Sequence, residues 1–150
     1  MSLELLQKVG DVTVCPTAAL VKEGKILLGY RNYVSNKQER TSAWITPGGR
    51  CDEGETVEQC LRREIKEEVG IDEFEIKELI GVIPGVTNGD IVPVFYCTTN
   101  QDAKLMEPDK FSKWKWVSFE DYINGEPWKG VNSPAYNVIT QLIIQYLKSK

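Results

Sequence analysis

Apolar residues recur along the chain with two different periods, and the two periods together predict a mixed α/β domain. Runs rich in β-branched and aromatic residues predict strands, at residues 12–21, 25–31, 43–46, 74–83, 91–98 and 113–117. Apolar positions at every fourth residue from Val57 to Val69 predict one helix, residues 118–121 begin a short helix, and Pro134 opens the last one. Strands on both sides of the first helix favour a single α/β domain that spans residues 1–150.

Turn and cap signals delimit these elements. Lys22-Glu23-Gly24 predicts a hairpin, and the polar residues 32–41 predict a loop with room for side chains that face a ligand. Thr56 followed by Gln59 has the form of a capping box, and Gly70 supplies a stop for the first helix.

The charge of the chain excludes several classes of function. It carries 18 basic and 22 acidic residues, a net charge of −4, and no His. A binder of long nucleic acid usually needs a basic surface, so we expect no such partner. The absence of His removes Ser-His-Asp and Cys-His catalysis and every His-ligated zinc site. Acid–base or metal chemistry must therefore use carboxylates, Lys, Tyr or Cys.

The four cysteines, Cys15, Cys51, Cys60 and Cys97, include no CxxC pair. This spacing is typical neither of a zinc knuckle nor of a secreted disulfide scaffold, so we expect reduced thiols in a cytoplasmic protein. Cys15 and Cys97 lie in strand-like runs and are expected to face the core. No apolar run reaches the roughly 18–20 residues of a membrane span, and no secretory signal is visible, so we expect no membrane partner.

Candidate chemistry is concentrated in residues 49–71, which hold seven acidic and four basic residues. At about 100° per residue, Glu64, Glu67 and Glu68 share one arc of the predicted helix, beside its apolar stripe. Like charges at this spacing repel unless a cation lies between them. A solvated acidic face is the simpler interpretation, but the adjacent Gly48-Gly49 turn lets backbone approach an ion or phosphate closely. Carboxylate and carbonyl oxygens suit Mg²⁺ or Mn²⁺.

The same residues carry a family resemblance. Gly49, Glu55, Arg63-Glu64-Ile65, Glu67-Glu68 and Gly70-Ile71 match, in type and spacing, the defining positions of the 23-residue box of Nudix (MutT-like) hydrolases. The segment resembles that box at residues 49–71 without a gap, and Trp44-Ile-Thr-Pro-Gly-Gly leads into it as in many members. The resemblance implies an α/β/α sandwich with a mixed sheet and hydrolysis of a nucleoside diphosphate linked to another moiety.

The resemblance also implies roles for particular residues. Glu64, Glu67, Glu68 and the Gly48 carbonyl would be ligands of a divalent metal ion, Mg²⁺ or Mn²⁺. Arg63 would hold box carboxylates in place, as an i,i+4 partner of Glu67. Glu55 would be structural or support the ligands.

The general base remains open between a box carboxylate, Glu67 or Glu68, and Glu107, which precedes the last predicted strand. Arg31 ends a strand that in similar proteins points toward the substrate phosphates, although a solvated strand-end Arg is an equal alternative.

Substrate contacts are less sharply indicated. Tyr33 and Arg40 flank the predicted loop, and Trp44 is one of several rings able to stack on a base. The loop is expected to select the group attached to the diphosphate. The leading interpretation is a metal-dependent pyrophosphohydrolase for a (d)NTP. The alternatives are a pyrophosphatase for ADP-ribose or a nucleotide sugar, and a nucleotide-binding sensor without turnover. The partner is a nucleotide-type small molecule, and a homodimer is an open alternative to a monomer.

Overall fold

The computed structural model describes residues 3–34, 40–85 and 87–150, except for the side chains of residues 33 and 34. The strands are β1 Thr17–Lys22, β2 Lys25–Val34, β3 Arg40–Ile45, β4 Phe74–Pro84, β5 Ile91–Thr99 and β6 Phe111–Ser118. The helices are α1 Val57–Val69, α2 Phe119–Ile123 and α3 Pro134–Lys148, and a 3-10 turn covers Glu4–Gln7.

The strands form one mixed sheet in the order β3-β2-β1-β5-β4, and β6 also pairs with β2. β1 and β5 run parallel, with Ala18 opposite Phe95, whereas the other pairings are antiparallel. The β1–β2 hairpin turns through Glu23 and Gly24, both at positive φ, as a tight two-residue turn requires. This confirms the predicted hairpin.

Each face of the sheet is covered by a helical layer with its own core. α1 packs on one face through Val57, Leu61, Ile65 and Val69, against side chains such as Leu27 and Phe95. α2 and α3 cover the opposite face, where Trp44, Tyr122, Trp128, Ile143 and Ile144 are buried together. The resulting α/β/α sandwich is the predicted architecture.

Two predicted boundaries are wrong, and both errors have local causes. The first strand begins at Thr17 rather than at residue 12, because Pro16 has no N–H and interrupts the ladder. Val14 contributes only an isolated bridge, to Ile91. Both ends of the predicted loop 32–41 are strand instead, since β2 continues to Val34 and β3 starts at Arg40. Cross-strand pairing overrides the polar composition there.

The cysteines are free thiols, as expected. Cys51, Cys60 and Cys97 are buried, whereas Cys15 precedes β1, is partly exposed and packs against the core on the α3 face, as expected. Among the described residues, no helix is long and apolar enough to cross a membrane.

Candidate active site

Helix α1 is fixed at both ends, and this sets the direction of its carboxylates. The Thr56 hydroxyl accepts from the Gln59 N–H at 3.2 Å, and the Gln59 side chain accepts from the Thr56 N–H at 2.9 Å. Gly70 ends the helix in the left-handed conformation, at φ 70°. Both features confirm the capping box and the helix stop that the sequence predicts. With the apolar stripe of α1 buried, Glu64 and Glu68 lie at its edge, where water is partly excluded.

Arg63 is the centre of an ion-pair network on α1. Its Nε and Nη2 donate to the two carboxylate oxygens of Glu55, at 2.6 and 3.0 Å. Its Nη1 donates to Glu64 at 3.0 Å and to Glu67 at 3.2 Å. Glu67 is therefore a partner as expected, but the bidentate partner is Glu55. The Arg63 guanidinium lowers the pKa of the Glu55 carboxyl below its usual value.

Glu68 is the most deeply buried carboxylate of the cluster, with 6% exposure. Its Oε1 accepts from the Gly48 N–H at 2.8 Å. Burial raises the pKa of Glu68 to about 8, against the lowering effect of the Gly48 N–H. The carboxylates of Glu64 and Glu107 raise that pKa further, whereas the Arg31 guanidinium lowers it. Glu107 and Arg31, distant in sequence, thus act on the same buried group.

Glu64 lies against the glycine turn that precedes the helix. Burial raises the pKa of Glu64, the Arg63 guanidinium lowers it, and repulsion by Glu67 raises it again. A Cβ at position 49 would lie 2.4 Å from the Glu64 Cδ, and one at position 48 would lie 2.3 Å from the Pro16 carbonyl oxygen. Only glycine lets this backbone pass between β1 and the carboxylates.

The donor set fits a divalent cation of the magnesium type. Burial raises the pKa of Glu64 and of Glu68 despite the nearby Arg63 and Arg31 guanidinium groups, and the Gly48-Gly49 backbone lies beside both carboxylates. In the described part of the chain, no three acidic or thiol side chains converge closely enough to enclose a metal alone. Mg²⁺ usually accepts such a set, because it keeps water and substrate phosphate oxygens among its ligands.

A cavity of about 150 Å³ lies on the other side of the Gly48-Gly49 backbone, between the sheet and α3. Its lining is mostly apolar and includes both glycines together with Thr17, Trp44, Thr46, Tyr122, Ile139 and Thr140. An apolar cavity of this size holds one benzene-sized ring in another protein. One stretch of backbone therefore separates a ring-sized cavity from the carboxylate cluster.

Asn132 fixes the wall of this cavity. β3 is the last strand of the sheet, so the outward N–H and C=O of Trp44 need partners. The Asn132 Oδ1 accepts from the Trp44 N–H at 2.7 Å, and its Nδ2 donates to the Trp44 carbonyl at 2.8 Å. The Asn132 side-chain amide thus pairs with the Trp44 backbone as the backbone of a neighbouring strand would. The Trp44 ring also contacts the Tyr30 ring, with centroids 5.0 Å apart.

The predicted substrate residues lie on both faces of the sheet. Side chains alternate along a strand, and Arg31 of β2 lies on the α1 face, near Glu68. Trp44 lies on the α3 face with the cavity. Arg40 is exposed at the start of β3 and donates to the Asn32 Oδ1 at 2.9 Å. The Tyr33 side chain and residues 35–39 of the predicted loop lie outside the described residues.

Thr17, Thr46 and Asn132 line or fix the cavity and were not among the predicted site residues. Thr46 directly precedes Pro47-Gly48-Gly49, a position in the sequence that could have drawn attention to it. Asn132 carries no comparable signal, because its role depends on a contact with a strand 88 residues away.

Comparison with known proteins identifies the family of the chain. A family model described as the NUDIX domain matches residues 14–139. The chain is 32% identical over 121 residues to a protein named RNA pyrophosphohydrolase from Wolbachia pipientis subsp. Culex pipiens, a match that covers 68% of this chain and 71% of that protein. The chain therefore belongs to the Nudix family, and it is an enzyme of the pyrophosphohydrolase type.

Solved structures share the fold. The MutT Nudix hydrolase from Burkholderia pseudomallei superposes with a TM-score of 0.63 at 25% identity, covering 87% of this chain and 97% of that one. An ADP-ribose pyrophosphatase from Streptococcus suis superposes with a TM-score of 0.65 at 22% identity, and 93% of each chain is covered. The second likeness concerns the fold alone.

Proposed function

We propose that the chain hydrolyses the diphosphate linkage of a nucleoside diphosphate derivative, with a (d)NTP as the favoured substrate. One observation carries this proposal: the ring-sized cavity and the carboxylate cluster share the Gly48-Gly49 backbone as a common wall. A nucleotide with its base in the cavity would reach the carboxylates with its phosphates. The cavity is too small for both halves of a dinucleotide, so the remainder of the substrate would lie outside it.

Glu64, Glu67, Glu68 and the Gly48 carbonyl are our proposed ligands for Mg²⁺ or Mn²⁺. When bound, such an ion neutralises phosphate oxygens and acidifies water. The Arg63 network orients Glu64 and Glu67, and the Gly48 N–H orients Glu68. Arg31, on the same face, would hold a phosphate oxygen.

The proton acceptor is proposed among the carboxylates that remain accessible. Glu68 is anchored by Gly48 and buried, which suits a ligand better than a base. Glu67 has a half-exposed side chain. Glu107 lies beside the cluster, where its carboxylate accepts from the Lys110 Nζ at 3.3 Å. Glu107→Gln should lower kcat by roughly 100-fold or more if Glu107 is the base, and far less if Glu67 is the base.

A triphosphorylated RNA 5′ end is a second candidate, supported by the name of the 32%-identical relative. Such an RNA end carries the same diphosphate linkage, attached to a terminal nucleoside that has a base. The net charge of −4 argues against a long nucleic-acid footprint, so only the end would be held. ADP-ribose or a nucleotide sugar remains the alternative small substrate.

Four free thiols support a reducing, cytoplasmic location.

A substrate panel tests the proposal. It contains dNTPs, NTPs, ADP-ribose, nucleotide sugars, dinucleoside polyphosphates and triphosphorylated RNA, each with Mg²⁺ and with excess EDTA. We expect metal-dependent turnover, highest on a (d)NTP, and a large loss of kcat in Glu67→Gln. Activity that survives EDTA would contradict the metal assignment. Absence of turnover on every substrate would favour a sensor.

The segment of residues 32–41, which the sequence predicts to be a loop, is proposed to select the substrate. The double variant Tyr33→Ala with Arg40→Ala should change the ranking of substrates in the panel, because contacts beyond the phosphates differ between substrates. An equal loss of kcat/KM for all substrates would show that these side chains are not selective.

A further inference from the structure

Two buried threonines form a hydrogen-bonded pair in the wall of the cavity. Thr17 and Thr46 are 6% and 7% exposed. Their Oγ1 atoms lie 2.6 Å apart, and the Thr17 Oγ1 is also 2.9 Å from the Pro47 carbonyl oxygen. Both residues line the cavity. The pair therefore places polar atoms in an otherwise largely apolar wall.

The donors and acceptors of this pair follow from counting hydrogens. A threonine hydroxyl has one hydrogen and two lone pairs. The Pro47 carbonyl can only accept, so the single hydrogen of Thr17 is used there. The 2.6 Å contact is then a hydrogen bond only if Thr46 donates to Thr17. The hydrogen of Thr46 is thereby committed, and its remaining lone pair can only accept.

We propose that Thr46 selects substrates whose base presents an N–H donor to it. This inference rests on the proposed function, because it takes the cavity to be the base site. A base with an amino hydrogen at that point gains a hydrogen bond. A base with a ring nitrogen or carbonyl oxygen there meets lone pair against lone pair, which an apolar cavity does not screen.

The Tyr122 and Thr140 hydroxyl groups, which also line the cavity, are engaged with each other. The Tyr122 hydroxyl is already paired with Thr140, which lowers the Tyr122 pKa against the raising effect of burial. Leu28 and Ile139 offer only apolar surface to a ligand. Thr46 is thus a group in the cavity wall whose fixed hydrogen allows it to distinguish one base edge from another.

Matched substrate pairs and two variants test the proposal. The pairs are ATP with purine riboside triphosphate and GTP with inosine triphosphate, in which the second member lacks one amino group. For the favoured base, we expect the wild type to lose roughly tenfold or more in kcat/KM when the amino group is removed. Thr46→Val, of nearly the same shape, should bring that ratio close to one.

Thr17→Val supplies a second readout. It releases the Thr46 hydrogen from Thr17, so that Thr46 can donate into the cavity, and the analogue without the amino group should gain relative to its parent. Thr98→Val, the same substitution on β5 away from this cavity, is the control and should keep the wild-type ratio. Far-UV circular dichroism and thermal unfolding verify that each variant folds.

The outcomes distinguish failure of the proposed role of Thr46 from failure of the proposed function. Turnover of nucleotides with no discrimination within either pair, or with discrimination that persists in Thr46→Val, overturns the role of Thr46. Absence of turnover on any nucleotide or RNA end overturns the proposed function instead.

Discussion

Replacement of Glu68 by Gln should stabilise the protein at alkaline pH when no metal ion is present. Glu68 is buried beside Glu64 and Glu107, whereas the Gly48 N–H and the Arg31 guanidinium favour its charged form. Its pKa is raised to about 8. Between the ordinary value and pH 8, the folded protein holds a proton that the unfolded chain has lost. The free energy of unfolding therefore falls as pH rises through this interval.

The size of the effect follows from the same values. The pKa rises from 4.5 to about 8. At about 1.36 kcal/mol per pH unit, this difference corresponds to an upper limit of roughly 4–5 kcal/mol. That stability is present below pH 4.5 and is lost by about pH 8. Gln cannot ionise, and its Oε1 can still accept from the Gly48 N–H.

Urea unfolding in EDTA at pH 5 and pH 9 measures the effect. The wild type should lose stability between the two, whereas Glu68→Gln should lose much less and be the more stable protein at pH 9. Glu67→Gln is the matched control, since that side chain is half exposed, and it should unfold like the wild type. Excess Mg²⁺ should raise the stability of the wild type at pH 9 and affect Glu68→Gln less.

Two results would refute the reasoning. One is a wild type whose stability without metal does not fall between pH 5 and pH 9. The other is a Glu68→Gln variant that is less stable than the wild type at pH 9, which would show that the carboxylate is stabilised in its charged form.

Three further predictions concern groups outside that titration. Arg63→Ala should destabilise the fold by about 2 kcal/mol and lower kcat strongly. Arg63→Lys should not restore activity, because Lys lacks the planar guanidinium that donates to both oxygens of Glu55. Restored activity in Arg63→Lys would show that only the positive charge of Arg63 matters. Asn132→Asp keeps an acceptor for the Trp44 N–H but loses the donor to the Trp44 carbonyl. In steady-state kinetics, KM should therefore rise more than kcat falls. In a thiol titration, Cys15 should react first and the three buried thiols only after unfolding; fast reaction of all four would contradict their burial.

The local elements of this protein could be predicted from sequence because their causes lie within a few residues. The limits of α1 follow from Thr56 and Gly70, whose hydrogen bonds and backbone angle involve only neighbours in the chain. The box carboxylates were recognised for a similar reason, since the helical repeat alone brings Glu64 and Glu68 to one side. The start of β1, the end of β2 and the start of β3 differ from the prediction, because strand pairing decides them.

Only the tertiary structure decided how the site is assembled. It brings Glu107 and Arg31 close enough to act on Glu68, and it separates Arg31 from Trp44 by the thickness of the sheet. It also forms the cavity, in which Thr17 at the start of β1 meets Thr46, which follows β3 and lies 29 residues further along the chain. The amino-acid sequence determines which groups can bind a metal ion or donate a hydrogen bond. Which of these groups come together depends on strand register and packing. Register and packing also set burial and distance, and these determine the pKa of a carboxylate and the partner of a hydrogen bond.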